Sequence, residues 1–232
     1  SEKKRFTILD APGHKNYVPN MIGGAAQADI GVLVISARKG EFEAGFEQGG
    51  QTREHAMLAY TLGVQKLIIL VNKMDCCDWE EKRYTQIKKK LAPFLRSCGY
   101  KVKRDCVWIC ASGLHGLNLS KPLDKTMAPW MKDRRCLLDV MDDIDLAFRD
   151  PDGPVRVPIL EKFSDRGTWI MGKVEQGTVR IGQKYIIMPN GTETKVADLT
   201  IKEETVAFAK PGENVRIKLA NTGEDMVAKG FV

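Results

Sequence analysis

The chain of 232 residues is 43% hydrophobic and 28% charged, which is ordinary for a globular protein able to bury a core. Its formal net charge of +6 is compatible with an RNA-rich partner, but many proteins without such a partner are as basic. No apolar run approaches the roughly 20 residues of a membrane-spanning helix, so we expect a cytoplasmic protein with no membrane partner.

Four apolar runs in the first 150 residues predict the strands of a parallel sheet. They are continuously apolar rather than alternating, which is typical of strands buried on both faces. The runs are FTIL (6–9), IGVLVIS (30–36), KLIILV (66–71) and CVWIC (106–110).

Helical segments separate these strands. One begins after Thr52, and the clearest runs from about Trp79 to Ser97, where Asp78 and Glu81 have the spacing of a capping pair. Its apolar stripe consists of Ile87, Leu91, Phe94, Leu95 and Cys98. A third helix is expected over roughly 135–148. The alternation predicts an α/β doubly wound domain over residues 1–150.

The pattern changes after residue 150 to short runs of β-branched residues. The Pro/Gly/Asp cluster at 150–154 predicts a linker, and turn signals such as Asp165-Arg166-Gly167, Asn190-Gly191 and Pro211-Gly212 separate the later runs. We therefore predict an all-β domain over residues 151–232, folded as a small closed barrel.

The six cysteines contain no C-x-x-C pair, so the sequence indicates neither a zinc site nor a disulfide framework. Cys106 and Cys110 are four residues apart in a predicted strand and would share one face of the sheet as small core residues. We interpret the set as reduced cysteines of a cytosolic protein.

Ligands of α/β sheets bind beyond the carboxyl ends of the strands, and the first such position holds Asp10 and Gly13. A carboxylate there can hold a water of a Mg²⁺ shell, and a glycine offers an unhindered N–H to a terminal phosphate. Taken alone, this string is more typical of a plain turn.

Asn72, Lys73 and Asp75 follow the third predicted strand. An aspartate can accept hydrogen bonds from guanine N1–H and its exocyclic amine, whereas adenine would oppose the carboxylate with a lone pair. Asn72 can tie loops together, and the stem of Lys73 can cover a base. The alternative is a capped turn between strand and helix.

Ser112, Gly113 and Leu114 lie just beyond the fourth predicted strand. A serine and a glycine there could direct a backbone N–H at guanine O6. Because Ser-Gly turns are common, this string alone does not distinguish a base site from a turn.

The three motifs together, in this order, resemble those of translational GTPases. The segments NMIGGAAQAD, SARKGEFEAGFEQGGQTREHA, DGPVRVPI and KPGENVRIKL are similar to the group containing the alpha elongation factor, the Hbs-type ribosome-rescue GTPase and the eukaryotic release factor GTPase subunit. The likeness is greatest to the release-factor branch and covers essentially the whole chain. It implies a partial G domain followed by a barrel, with GTP or GDP and Mg²⁺ as ligands.

The resemblance also implies residue roles. Asp10 would hold Mg²⁺ through water, Gly13 would sense the γ-phosphate, and His14 would orient the attacking water unless it only caps a turn. The implied nucleotide-binding set is Asp10, Gly13, Asn72, Lys73, Asp75, Ser112, Gly113 and Leu114. His55 and His115 are expected to be ordinary surface or loop histidines.

The implied partners are a class-1 release factor and the ribosome, whose rRNA phosphates the barrel would contact through its lysines and arginines. No DNA partner is expected. Two alternatives stay open: a ribosome-rescue or aminoacyl-tRNA-delivering GTPase, and a shortened, non-enzymatic ribosome-binding module.

No G-x-x-x-x-G-K-[ST] string occurs in the 232 residues, so the phosphate loop of the family is absent from them. We expect a gap between the strands FTIL and IGVLVIS, where the family places its first strand. We also expect the chain as given to bind guanine nucleotide weakly or not at all, and not to hydrolyse GTP.

Gly49-Gly50-Gln51 matches the tripeptide with which class-1 release factors hydrolyse peptidyl-tRNA. It lies between a predicted strand and a helix that Thr52 can cap, and the GTPase group shares the stretch. We therefore interpret the tripeptide as a helix-entry loop and not as a catalytic element.

Overall fold

The computed structural model describes residues 1–4, 6–10, 28–47, 49–146 and 149–232. It contains two compact units, Ser1–Asp145 and Leu146–Val232. In the described part of the chain, no helix has both the length and the apolar character needed to cross a membrane.

The first unit contains a parallel sheet of three strands in the order β1-β2-β3. The strands are β1 (Ile30–Ser36), β2 (Lys66–Asn72) and β3 (Cys106–Cys110), as the apolar runs predict. Every residue from 67 to 71 of the central strand β2 is buried, so this strand lies at the centre of the core. The parallel alignment places the carboxyl ends of β2 and β3 at one edge of the sheet.

The predicted strand at residues 6–9 is wrong. Residues 6–10 form no strand, and Ile8 and Leu9 are 83% and 42% exposed. An extended segment becomes a strand only when a neighbour pairs its backbone groups, and these residues pair with none of the three strands. Val32 and Val34, which share one face of β1, are exposed, so this face of the strand is not covered by the described residues.

Five α-helices of the first unit fall within the described residues. They are α1 (Glu41–Phe46), α2 (Gln51–Thr61), α3 (Glu81–Cys98), α4 (Val102–Asp105) and α5 (Leu137–Asp143). A 3₁₀ turn, Met74–Cys77, leaves the end of β2.

The apolar stripe predicted for α3 is confirmed, since Ile87, Leu91 and Leu95 are fully buried. The predicted cap is wrong, because the helix begins at Glu81 after Glu80. Asp78 instead ends the preceding 3₁₀ turn in a left-handed conformation with φ of 49°, and its N–H donates to Asp75. Asp78 therefore ends the 3₁₀ turn and does not cap α3.

A buried arginine of α3 holds the segment that follows β1. The Arg83 side chain donates from Nε to the Ala37 carbonyl at 2.6 Å, and from its two terminal nitrogens to the Glu43 carboxylate at 2.8 and 3.2 Å. The guanidinium lowers the pKa of Glu43 to about 2. Glu43 also accepts from the Gly40 N–H at 2.8 Å and so caps α1.

The Gly-Gly-Gln stretch forms the entry of α2, as predicted, although Gly50 rather than Thr52 is the cap residue. Gly49 has a φ of +80°, which favours glycine. A Cβ on Gly50 would lie 2.3 Å from the Gly45 carbonyl oxygen. Both glycines are therefore required by the backbone path.

The second unit is an antiparallel β structure. Its main sheet has the order β4-β5-β11-β8-β7, with β9 added to β8, and a separate pair joins β6 and β10. The strands are β4 (Ile159–Ser164), β5 (Thr168–Lys173), β6 (Val179–Arg180), β7 (Lys184–Ile187), β8 (Thr192–Ile201), β9 (Glu204–Thr205), β10 (Phe208–Ala209) and β11 (Asn214–Ala220).

The last three residues connect the two edges of this sheet. Gly230 and Phe231 exchange backbone hydrogen bonds with Ile159 of β4, and Val232 exchanges two with Met188, directly after β7. The strands therefore close around a core that includes Val174, Leu199 and Ile217, as the predicted small barrel requires.

We expect Gly50→Ala to destabilise the chain by at least about 2 kcal/mol, because the new methyl group overlaps backbone that cannot move aside. Gly49→Ala is the matched control. Its Cβ would meet no atom within 4 Å, so only the left-handed conformation is penalised, at about 1 kcal/mol. Urea unfolding followed by circular dichroism measures both, and equal losses would contradict the close approach at Gly50.

We expect Arg83→Met to lower the free energy of unfolding by about 2–4 kcal/mol, because it leaves the Ala37 and Arg38 carbonyls and the Glu43 carboxylate without this donor. Lys82→Met, on the exposed side of the same turn, should change the free energy of unfolding by no more than about 0.5 kcal/mol.

The Glu43 contribution depends on pH. Since folding lowers this pKa from 4.5 to about 2, the contribution is complete above about pH 4.5 and is lost as the pH falls towards 2. The difference in unfolding free energy between the original chain and Glu43→Gln should shrink over that window. A difference that stays constant from pH 7 to pH 2.5 would contradict the ion pair.

Candidate nucleotide-binding site

The side chain of Asn72 joins the loops that follow β2 and β3. Its Oδ1 accepts from the Lys73 N–H and from the Gly113 N–H, each at 2.8 Å. The Met74 N–H also donates across the same gap to the Ala111 carbonyl, at 3.2 Å. The two loops proposed from the sequence therefore meet at one edge of the sheet.

Asp75 is an ionised carboxylate beside the second loop. The nearby Ser112 hydroxyl is the largest cause that lowers the pKa of Asp75 below its ordinary value. His115 Nε2 lies 3.9 Å from Asp75 Oδ2. The other oxygen, Oδ1, is buried and accepts no hydrogen bond of good geometry from the described residues.

This arrangement fits a guanine base. A buried carboxylate oxygen without a donor is costly, and guanine carries two adjacent N–H donors that can satisfy an aspartate. Adenine lacks that pair of donors. The described residues at this edge therefore suit the base of a guanine nucleotide.

Lys73 is oriented by an ion pair. Its backbone is left-handed, with φ of 61°, and its Nζ lies 2.6 Å from Glu41 Oε2 at the start of α1. The same Glu41 oxygen accepts from the Ser36 hydroxyl at 2.8 Å. The hydrogen bond from Lys73 is the main cause that lowers the pKa of Glu41. The carboxyl end of β1 thus supports the loop after β2.

Ser112 and Gly113 have different roles in the second loop. Ser112 is fully buried and pairs with Leu117 through two backbone hydrogen bonds. The Gly113 N–H donates to Asn72, so it is not the backbone N–H that this loop could direct at guanine O6. Leu114 is 85% exposed at the tip of the loop.

Sequence reasoning missed two members of the site. Glu41 follows β1, and its signal in the sequence is this position shortly after a strand, like those of the residues after β2 and β3. His115 was expected to be an ordinary loop histidine, but it lies against Asp75. The sequence signal for His115 is its position directly after Leu114, the last residue of the predicted loop.

The predicted phosphate and metal residues are only partly within the described chain. Asp10 is exposed, while Gly13 and His14 lie outside the described residues. No cluster of three or more His, Cys, Asp or Glu side chains able to hold a metal is found in the part that the structure describes. Asp10, the residue predicted to hold Mg²⁺, lies within this part and would supply one carboxylate.

Two family models match this chain. Residues 1–147 match the family model of the elongation factor Tu GTP binding domain, and residues 167–232 match that of elongation factor Tu domain 2.

Among curated relatives, the chain is 47% identical over 235 residues to the eukaryotic peptide chain release factor GTP-binding subunit of Zygosaccharomyces rouxii. The match covers 100% of this chain and 35% of that protein. The chain spans about a third of the length of the curated relatives it matches.

Among solved structures, sup35 complexed with GDP has a TM-score of 0.56 at 38% identity, covering 100% of this chain and 54% of that one. Sup35 complexed with GMPPNP has a TM-score of 0.52 at 39% identity, covering 90% and 51%. These matches extend over both units. The chain belongs to the family of the elongation factor Tu GTP binding domain, and its barrel is the second domain of that family.

Proposed function

We propose that this chain supplies the guanine-recognising part of the G domain, and the barrel, of a GTPase subunit that acts in translation termination. The observation that carries the proposal is the cluster at the ends of β2 and β3, where Asn72 joins the two loops beside the ionised Asp75. The identity of 47% to release factor GTP-binding subunits supports termination as the process. The protein then works in the cytoplasm beside a class-1 release factor and the ribosome.

Guanine recognition rests on Asp75. Its carboxylate accepts from N1–H and from the exocyclic amine of the base, which satisfies the oxygen that lacks a donor. Adenine is rejected because its N1 lone pair would face the carboxylate. Lys73, held by Glu41, covers the base with its methylene stem, and the loop from Ser112 to Leu114 borders the base edge.

We infer the phosphate end of the site from the resemblance to translational GTPases. Asp10 would hold Mg²⁺ through water, and the ion, when bound, neutralises phosphate charge. Gly13 would offer its N–H to the γ-phosphate, and His14 would orient the attacking water for hydrolysis of GTP.

The 232 residues contain no phosphate-loop string, and backbone N–H groups of that loop supply much of the hold on a nucleotide. We therefore propose that the chain alone binds GTP weakly and does not hydrolyse it, and that the protein is a competent GTPase where a phosphate loop is present. Submicromolar binding of GTP or GDP by the 232 residues would contradict the first part.

Guanosine at millimolar concentration should shift the amide resonances of Gly113 and Leu114 in a ¹⁵N–¹H spectrum. We expect an apparent affinity at least about 10-fold above that for adenosine, which is the loss associated with one unpaired buried polar group. Asp75→Asn should abolish this preference, since an amide presents a donor to guanine N1–H.

Asp78→Asn is the matched control for that experiment, because it makes the same chemical change outside the site. It should keep the preference for guanosine. Equal shifts with guanosine and adenosine in the original chain would contradict Asp75 as the base-recognising residue.

Capture experiments test the process. We expect the immobilised chain to retain a purified class-1 release factor in preference to aminoacyl-tRNA or to a factor of stalled ribosomes. Retention of aminoacyl-tRNA instead would favour delivery or rescue. Ribosome binding that is unaffected by nucleotide, without retention of the release factor, would favour a non-enzymatic module.

A further inference from the structure

The positive charge of the chain is concentrated in one segment. Residues 82–104 contain nine lysines and arginines and no aspartate or glutamate. The net charge of the whole chain is +6, so the remaining residues are together net negative. The cationic segment covers α3 and α4.

The structure displays most of these cations on the outer side of the two helices. Lys82, Lys89 and Arg96 are exposed and follow one another at seven-residue intervals, which is two turns of α3. At 1.5 Å per residue, they form a row about 21 Å long. Lys90 is exposed beside the row, and Lys101 and Lys103 are exposed on and beside α4.

This row differs in its partners from the two ion-paired arginines of the segment, Arg83 and Arg104. Arg83 is bound to Glu43, and Arg104 is bound to Asp105. Among the described residues, none of Lys82, Lys89 and Arg96 has a carboxylate within ion-pair distance. The row therefore presents uncompensated charge to solvent.

We propose that this cationic face of α3 and α4 binds the phosphate backbone of double-helical RNA. The inference rests on the proposed function, which places the protein on the ribosome, and it assigns an RNA-binding surface to the G domain in addition to the barrel. A row of charges about 21 Å long suits a regular array of phosphates, which A-form RNA presents independently of its sequence.

An acidic protein segment suits the face less well. Such partners also bury apolar side chains, but the apolar stripe of α3 points inward. No large apolar side chain of α3 or α4 is among the exposed ones in the described chain. The interaction that this face offers a partner is therefore electrostatic, which is the kind that binds a phosphate backbone.

The test uses a fluorescein-labelled RNA duplex of 24 base pairs and fluorescence anisotropy from 50 to 200 mM salt. The variant Lys82→Gln/Lys89→Gln/Arg96→Gln should bind at least about 10-fold more weakly at 100 mM salt. The slope of log K against log salt should become less steep by about 2–3, since each phosphate contact contributes about 0.7–0.9.

Lys121→Gln/Lys125→Gln/Lys132→Gln is the matched control, because it removes the same charge from exposed positions of the same unit. This control should keep its affinity for the RNA duplex to within about 2-fold. Its slope of log K against log salt should change by less than about one unit. Equal losses in both variants would overturn the proposal, as would an unchanged slope in the α3 variant.

Two competitors identify the class of partner. We expect unlabelled RNA duplex to displace the probe more effectively than a DNA duplex of equal length or a 20-residue polyglutamate. More effective displacement by DNA or by polyglutamate would overturn the assignment to RNA. Guanosine titration of the α3 variant should be unchanged, so a failure of this inference is distinguishable from a failure of guanine recognition.

Discussion

One side chain determines the geometry of the candidate site. Asn72 ends the central buried strand, and its Oδ1 accepts amide hydrogen bonds from both the loop of β2 and the loop of β3. Because β2 and β3 are parallel neighbours, this acceptor, with the hydrogen bond from the Met74 N–H to the Ala111 carbonyl, holds the loop of Asp75 beside the loop of Ser112. Burial of β2 on both faces holds the strand in place. Asn72, at its end, therefore holds the two loops in position before a ligand binds.

Much of this could be predicted from sequence, because β1, β2 and β3 are continuously apolar runs of strand length. The burial on both faces that such runs predict holds for β2, whereas Val32 and Val34 of β1 are exposed. The stripe of α3 and the turns of the barrel have similarly local signals. The run at 6–9 has the same signal, yet it is not a strand, because pairing depends on a neighbour that a local pattern does not specify. Contacts between distant residues, such as Glu41 with Lys73 and His115 with Asp75, have no local signal of this kind.

The positively charged residues of helix α3 have two different roles. Arg83 is 5% exposed, and its charge is compensated by Glu43 and by carbonyl oxygens of the segment after β1, so it acts as a structural crosslink. Lys82 and Lys89 are exposed on a different face and have no such compensation among the described residues. Adjacent residues of one sequence run thus serve stability and recognition separately, because the helix period assigns them to different faces.

The closure of the barrel by Gly230 to Val232 has a consequence for solubility. An antiparallel sheet with open edges offers unpaired N–H and C=O groups that can recruit strands of other molecules. Here Ile159 and Met188, at the two edges, are paired by only three residues of the same chain. Those residues therefore prevent these two edge positions from pairing with strands of other molecules.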